Sequence, residues 1–462
     1  MDKKEPTIIH LEKEEEGLPV VQPDVAGIDL GSQEHWVCAP SIDRRGREVS
    51  RFGATTPDLE KMAGWLKARN VKSVAMEGTG VYWIAPHEVL EAQGLQVLLV
   101  NTRELARVPG RKKTDRVDSK WIQRLHSCGL LTGSFRPQEE ICMLRTLVRD
   151  RGNLVAASGD WLRRMQKSLD QMNVRVHRAV SDLDGETGMA IIEAIVKGER
   201  DPAKLAALRH RNCQKSREEF VKQCSGHWRN DHLFSLKQSL EMYQAVQQRI
   251  AAYDQEILRN VEAMEREDCQ GQKAPELKNR SKSQAINRRG EEVLRQALYR
   301  MSGVDLTAID ALGVRAVVTV ISEYGFDLRE FPTESQFISH LTLAPQKPMS
   351  GGKPVKKKRK RNSASTRVAE VLRMAAQSMH RSQTALGAYF RRMAQRKDKG
   401  VATFATARKL AQYIYRLLKW GQPYVDEGAA AYEKRYQQAR VQRLTEQARS
   451  LGFELTPKAV EA

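Results

Sequence analysis

Long apolar runs are missing from this 462-residue chain. No window approaches the roughly 18 uninterrupted apolar residues of a membrane span, and none near the start is long enough for a signal peptide. The expectation is a protein without a membrane partner. Cysteine is also scarce: Cys38, Cys128, Cys142, Cys213, Cys224 and Cys269 lie scattered, not at the density of a secreted disulfide scaffold, which fits a reducing cytoplasm. Aromatic residues make up only 6%, which suits a protein that grips backbones better than one that stacks on successive bases. There is no Walker A sequence and no tandem repeat. Acidic residues are outnumbered, 57 against 77 basic ones, giving a formal net charge of +20. So basic a chain implies a polyanionic partner, and nucleic acid is the first candidate.

A hydrophobic content of 40% allows two or three domains with real cores. Residues 1–24, with Glu12, Glu14, Glu15 and Glu16 clustered, read as an acidic, disordered and solvated tail. Residues 25–130 alternate between strand and helix. Val25-Ala-Gly-Ile-Asp29, His35-Trp-Val-Cys-Ala-Pro40 and residues 48–54 read as three successive strands. Leu59, Met62, Ala63, Trp65 and Leu66 then recur at helical spacing, followed by a strand at 71–76, a helix at 84–92 and a strand at 95–100. This order predicts an α/β, RNase H-like layer. Residues 139–265 change to long helices with seven-residue repeats, Val148, Val155, Leu162 and Leu169 in the first and Leu236, Tyr243, Ile250, Ile257 and Met264 in the second. Such repeats predict a coiled-coil region, an antiparallel pair that also dimerises, interrupted by a shorter insertion at about 181–230. Residues 266–290 read as a mobile linker, 291–430 as a mainly α C-terminal domain and 431–462 as a charged helix and tail.

Four carboxylates stand out in this basic background. Asp29 follows the apolar run 25–28 and Glu77 follows Val74-Ala75-Met76, so each projects from a strand end. Asp115 and Asp118, in Lys113-Thr-Asp115-Arg-Val-Asp118, lie at i, i+3 on a helix start capped by Thr114, and hence on one face. Carboxylates suit Mg²⁺, and two such ions roughly 4 Å apart support in-line displacement at phosphorus. Arg111, Lys112 and Lys113 stand ready to contact phosphate. Each acid on its own also reads as an ordinary surface residue or cap.

Further along, Leu343-Ala-Pro345-Gln-Lys-Pro-Met-Ser350-Gly-Gly-Lys353 sets a serine before two glycines and then Lys356, Lys357, Lys358, Arg359, Lys360 and Arg361. Glycines let a backbone approach phosphate, and a hydroxyl there could attack it. Ser-Gly-Gly is also plain loop composition. The basic run reads first as a nucleic-acid contact, together with Lys353, and otherwise as a solvated loop or a nuclear-import signal.

Gly27-Ile-Asp29, Met76-Glu77-Gly-Thr-Gly-Val-Tyr82 and Lys113-Thr-Asp115-Arg-Val-Asp118 resemble the three signature segments of the DEDD transposases of insertion sequences, the bridge-RNA-guided recombinases. The resemblance implies a RuvC-type nuclease domain, with Asp29, Glu77, Asp115 and Asp118 as catalytic metal ligands for Mg²⁺, two ions in all. It implies a C-terminal transposase domain with Ser350 as nucleophile, in a segment that follows a Gly-Leu-x-Pro-like sequence. Here that sequence is Leu-Thr342-Leu-Ala-Pro345, without the usual glycine; Ser363, Ser365 and Thr366 stand nearby as competitors. It further implies donor and target DNA as partners, a structured guide RNA and a homo-oligomer, dimer or tetramer, in which serine and carboxylates from different protomers compose one site. The setting would be a bacterial cytoplasm, on the nucleoid. Ser302-Gly303-Val-Asp305-Leu-Thr-Ala-Ile-Asp310-Ala-Leu-Gly313 is similar to the hairpin region of related transposases, and on its own reads as a helix and turn.

His210-Arg-Asn-Cys213 and Cys224-Ser-Gly-His227 have the spacing of two zinc-ligand pairs, but the order is unlike the usual fingers and the site is not adopted. Two rival functions stay open: a Holliday-junction resolvase or metal nuclease that needs the acids but no serine, and an architectural binder that needs only positive charge.

Overall fold

The computed structural model describes residues 9–11, 19–78, 80–101, 115–344, 349–350, 353–354 and 366–456. It divides into two compact units, residues 1–136 and 137–462.

The first unit is built on a six-stranded mixed sheet: β1 (Ile9–Leu11), β2 (Val25–Leu30), β3 (Glu34–Pro40), β4 (Arg47–Gly53), β5 (Ser73–Glu77) and β6 (Gln96–Val100), in the order β1-β4-β3-β2-β5-β6. The strands β2, β3 and β4 form an antiparallel meander, while β5 and β6 run parallel to β2. Parallel neighbours need crossovers, and helices α1 (Thr56–Lys67) and α2 (Ile84–Ala92) provide them. One face of the sheet, through Ala26, Ile28, Val74 and Met76, packs on Leu59, Met62, Ala63 and Leu66 of α1 and Leu90 of α2. On the other face Ala75 and Val100 pack on Ile122 and Leu125 of α3 (Asp115–Ser127). The central strands are therefore covered on both sides, which is why they read as near-continuous apolar runs.

The N-terminal segment departs from the solvated tail expected of residues 1–24. Ile9–Leu11 pairs antiparallel with β4, and the amides of Val21 and Gln22 both donate to the carbonyl of Ser127, at 2.8 and 2.9 Å. An open strand edge supplies unpaired backbone groups, and three residues are enough to use them.

The second unit is mostly helical. The long helix α4 (Glu139–Gln171) leads into three short ones, α5 (Glu186–Val196), α6 (Pro202–Ala207) and α7 (Arg217–Cys224), and the chain returns along α8 (Asn230–Ala263). Arg151 pairs with Asp254 and Ser158 with Gln247, so α4 and α8 are antiparallel. The second heptad is the buried one, with Leu236, Tyr243, Ile250 and Ile257 all inside. The first holds at its end, where Leu169 is buried and Leu162 packs on the same core, but not in its middle: Val155 is 46% exposed, while Arg151 and Ser158 face α8. Polar residues at seam positions are compatible with burial when each finds a partner, and here each does. The short helices close a core against both long ones through Ile191, Ile195, Leu205 and Phe220.

Within the stretch expected to be a mobile linker, 266–290, a helix forms instead, α9 (Arg280–Arg288), capped by Asn279 and held by the burial of Ile286. It leads to α10 (Glu292–Ser302), α11 (Val314–Tyr324) and α12 (Glu334–His340), then a two-stranded hairpin of β7 (Met349–Ser350) and β8 (Lys353–Pro354). Helices α13 (Thr366–Ser378), α14 (Ala385–Arg396), α15 (Lys399–Trp420) and α16 (Gly428–Ser450) follow. Among the described residues no helix is long and apolar enough to cross a membrane.

Candidate active site

The carboxyl ends of β2 and β5 are where the acids collect. In the parallel pairing of these strands Gly27 stands opposite Ala75 and Ile28 opposite Met76. Asp29 and Glu77 are the next residues along each strand, so they leave neighbouring strands at the same end. Strand alternation puts them on the face of Gly27 and Ala75, which is the face that α3 covers. Both side chains are half-buried.

Three polar contacts fix the direction of α3 on that face. Gln123 Nε2 donates to the Val25 carbonyl at 3.2 Å. His126 Nδ1 lies 3.2 Å from the Ala26 carbonyl, and its Nε2 lies 3.3 Å from the Ser73 hydroxyl. The C-terminal end of α3 thus sits over the beginnings of β2 and β5, so its first turn lies toward their ends, where Asp29 and Glu77 are. Asp118, half-buried, belongs to that first turn. Asp115 begins the helix, and its side chain lies outside the described residues, as do Arg111, Lys112, Lys113 and Thr114. Among the described residues no three His, Cys, Asp or Glu side chains gather closely enough to hold a metal ion. The donors brought to this end are carboxylates, the oxygen ligands that hard divalent cations prefer.

Sequence reasoning missed the residues that seat α3. A Cβ on Gly27 would lie 2.2 Å from the Gln123 nitrogen and 2.6 Å from the Ser119 oxygen, so only glycine lets the helix backbone approach this closely. A lone glycine inside a strand is the signal that could have shown it. A carbonyl only accepts, so His126 Nδ1 carries its proton toward Ala26 and Nε2 accepts from Ser73. Burial holds the imidazole below its ordinary value, opposed by the bond to Ala26.

Ser350 lies in the second unit. Its backbone pairs with Lys353, and Met349 with Pro354, so β7 and β8 form a short antiparallel pair. The side chains of Ser350 and Lys353 lie outside the described residues, as do Lys356, Lys357, Lys358, Arg359, Lys360, Arg361, Ser363 and Ser365. Just upstream, Thr342 has φ +57°, a left-handed conformation that glycine adopts without cost and a β-branched residue does not. The Ser302 to Gly313 segment is a helix end and turn: Gly303 terminates α10 with φ +75°, and Asp305 Oδ1 accepts from the Thr307 amide at 2.9 Å.

Of the zinc-like residues, Cys224 is buried in the apolar core, which pushes its thiol up to about 11. Cys213 Sγ rests 3.6 Å from the Thr187 hydroxyl, and His210 Nδ1 accepts from the Asn212 amide. Phe220 and Ile192 share the core with Cys224. These are packing and turn roles.

Two family models match the chain. One describes a transposase of the DEDD IS110 type and covers residues 26–174; the other is described as Transposase IS116/IS110/IS902 family and covers residues 303–391. The chain belongs to the IS110 family of DEDD transposases. No curated protein matches it. The transposase is accordingly an enzyme of DNA recombination. Its first family match begins within β2 and runs through the other strands from β3 to β6, α3 and all of α4, so it contains the four acids. Its second match begins at the Gly303 turn and contains both the Thr342 bend and the Ser350 hairpin.

Proposed function

We propose that this transposase cuts and exchanges DNA strands with an RNase H-like, RuvC-type carboxylate site and a serine nucleophile. The observation that carries the reading is the seating of α3. It directs the turn holding Asp115 and Asp118 toward the strand ends that present Asp29 and Glu77. The order of antiparallel meander followed by two parallel strands supports the RNase H-like assignment. In this reading Asp29, Glu77, Asp115 and Asp118 would hold two Mg²⁺ ions, which would supply stabilisation of the negative charge that builds on oxygen during displacement.

Ser350 then gives up its hydroxyl proton, and its oxygen bonds to phosphorus as the bond from phosphorus to the sugar oxygen of the cut strand breaks. That sugar oxygen leaves as a hydroxyl. The reverse attack by the hydroxyl of a different strand releases the serine, so the exchange conserves phosphodiester energy and requires no nucleotide hydrolysis. Arg111, Lys112, Lys113, Lys353 and the run from Lys356 to Arg361 would hold the DNA and RNA backbones. A structured RNA that pairs with donor and target would choose the site. An oligomer formed along α4 and α8 would bring Ser350 of one protomer to the acids of another.

The test is trapping of a covalent protein–DNA adduct on a denaturing gel, after sequencing the nucleic acid that copurifies with the chain to supply its RNA and target. The adduct is expected with Mg²⁺, and is expected to vanish in Ser350→Ala and in Asp115→Ala. Cleavage that persists in Ser350→Ala would favour the resolvase reading. Binding without any Mg²⁺-dependent product would favour the architectural one.

A further inference from the structure

The helices α14, α15 and α16 concentrate positive charge in one seam. Arg392 of α14 is stacked among tyrosines, its guanidinium carbon 3.7 Å from the Tyr436 ring centre, 4.8 Å from Tyr432 and 5.6 Å from Tyr389. Lys409 of α15 has its ammonium 4.9 Å from the Tyr389 ring centre. Arg408, one residue before Lys409 on α15, is near enough for its charge to act on Tyr389: burial raises the phenol, and Arg392 and Arg408 oppose that rise.

Two neighbouring arginines are neutralised, Arg416 by Glu334 at 2.9 Å and Arg435 by Glu427 at 2.6 Å. Arg392, Arg408 and Lys409 are not. Among the described residues none of the three has a carboxylate at ion-pair distance. Burial, and after it the charges of Arg392, Arg416 and Arg435, hold the Lys409 ammonium below its ordinary value, with Glu427 opposing them from beyond ion-pair distance. Stacking on tyrosine attracts each cation but cancels no charge. Three cations with no carboxylate at ion-pair distance repel one another, and a bound anion relieves them.

The shape of the seam fits an extended anion. Helices α14 and α16 run in parallel, in step from the backbone bond between Ala429 and Gln383, through the Tyr389 and Tyr432 rings, to Arg392 on Tyr436. The next positions in that progression are Arg396 and Arg440, both exposed. A guanidinium whose plane is fixed by stacking loses little rotamer freedom when it meets phosphate.

We propose that this seam binds the phosphodiester backbone of nucleic acid, with Arg392, Arg408 and Lys409 as its cations. The site is separate from the carboxylate end of the sheet and does not depend on the serine. Arg392 also pins α16 to α14, so the test leaves it in place and uses Arg408→Gln/Lys409→Gln in the full chain.

The probes are a 30-base-pair DNA duplex and a single-stranded RNA of equal length, titrated at several salt concentrations. The melting temperature should stay within about 2 °C of the parent. Affinity should fall about tenfold for at least one probe, and the slope of log affinity against log salt should drop by about 1.8 on duplex DNA or about 1.4 on single strands, the values for two lost phosphate contacts. A loss confined to one probe assigns the seam to that polymer, and a loss on both assigns it to both. Unchanged affinity and slope on both probes would overturn the proposal. So would an equal loss in Lys204→Gln/Lys237→Gln, which removes two cations elsewhere that already have carboxylate partners.

Discussion

Gly27 and Gln123 meet backbone against backbone: a Cβ on the glycine would stand 2.2 Å from the amide nitrogen of Gln123. This contact sets how deeply α3 rests on the sheet. Gly27→Ala should therefore lift the helix and destabilise the first unit by about 3 kcal/mol, the upper end of ordinary overpacking. Urea unfolding followed by circular dichroism reads that loss. An unchanged midpoint would show that the helix can slide, and that its seating does not fix the first turn.

His126 makes the same docking sensitive to pH. Burial depresses its pKa in the folded state, while the unfolded chain keeps a value of about 6.5. Between the depressed value and about 6.5 the unfolded state binds the extra proton, so the stability His126 contributes is full above this window and declines as pH falls through it. His126→Gln should flatten the fall of the denaturation midpoint between about pH 7 and pH 5 without abolishing it, since burial also depresses His35 and His340.

Thr342 bends the chain before the Ser350 hairpin at φ +57°. Left-handed backbone costs a non-glycine residue about 1–2 kcal/mol, offset in part by the greater unfolded freedom of glycine. Thr342→Gly should stabilise the second unit by about 1 kcal/mol, seen as a higher urea midpoint at unchanged slope. A drop in stability would mean that the threonine side chain makes contacts worth more than the strain.

Arg295 ties the segment before α10 to the turn after it. It donates to the Pro275 carbonyl at 2.5 Å, to Asp305 Oδ2 at 2.6 Å, to the Thr307 hydroxyl at 3.0 Å and, within α10, to Glu292 at 2.9 Å, and both ends of its pair with Asp305 are almost fully buried. Removing one partner strands a buried charge. Arg295→Ala should cost about 3–5 kcal/mol, whereas Arg329→Ala, whose guanidinium is 82% exposed beside Asp327, should change the midpoint by less than about 1 kcal/mol.

The strands of the first unit were legible because β2 and β5 are covered on both faces, which leaves apolar runs such as Val74-Ala75-Met76 bounded by polar ends. The acids were legible for the same reason, since Asp29 and Glu77 break those runs at one end. What could not be read was long-range. Nothing local tells Ile9–Leu11 that β4 has an open edge, and α9 offers only Ile286 as an apolar anchor. The polar middle of the α4 seam depends on Asp254 and Gln247, more than 80 residues away, whose side chains make a half-buried Arg151 and a buried Ser158 acceptable there. The seat of α3 was visible only as a glycine within a strand, a weak mark until the helix that covers it is known.

Substitutions at Glu77 and Asp118 test whether binding and chemistry separate. Glu77 is the last residue of β5 and Asp118 lies in the first turn of α3. If their carboxylates hold Mg²⁺, the amides in Glu77→Gln and Asp118→Asn keep size and hydrogen bonding but lose the charge the ion requires. Each should leave nucleic-acid affinity within about twofold of the parent, because the basic surface that grips phosphate is untouched. Strand cleavage should fall by at least about 100-fold, the scale set by removing one electrostatic stabiliser of a transition state. Mn²⁺ titration of binding-competent protein gives an independent reading: the parent should broaden the water proton relaxation signal at lower metal concentration than either variant. Equal metal binding in parent and variants would place the ions elsewhere. A cleavage rate that survives Asp118→Asn would show that Asp118 only orients the helix and that Asp115 carries the metal without it.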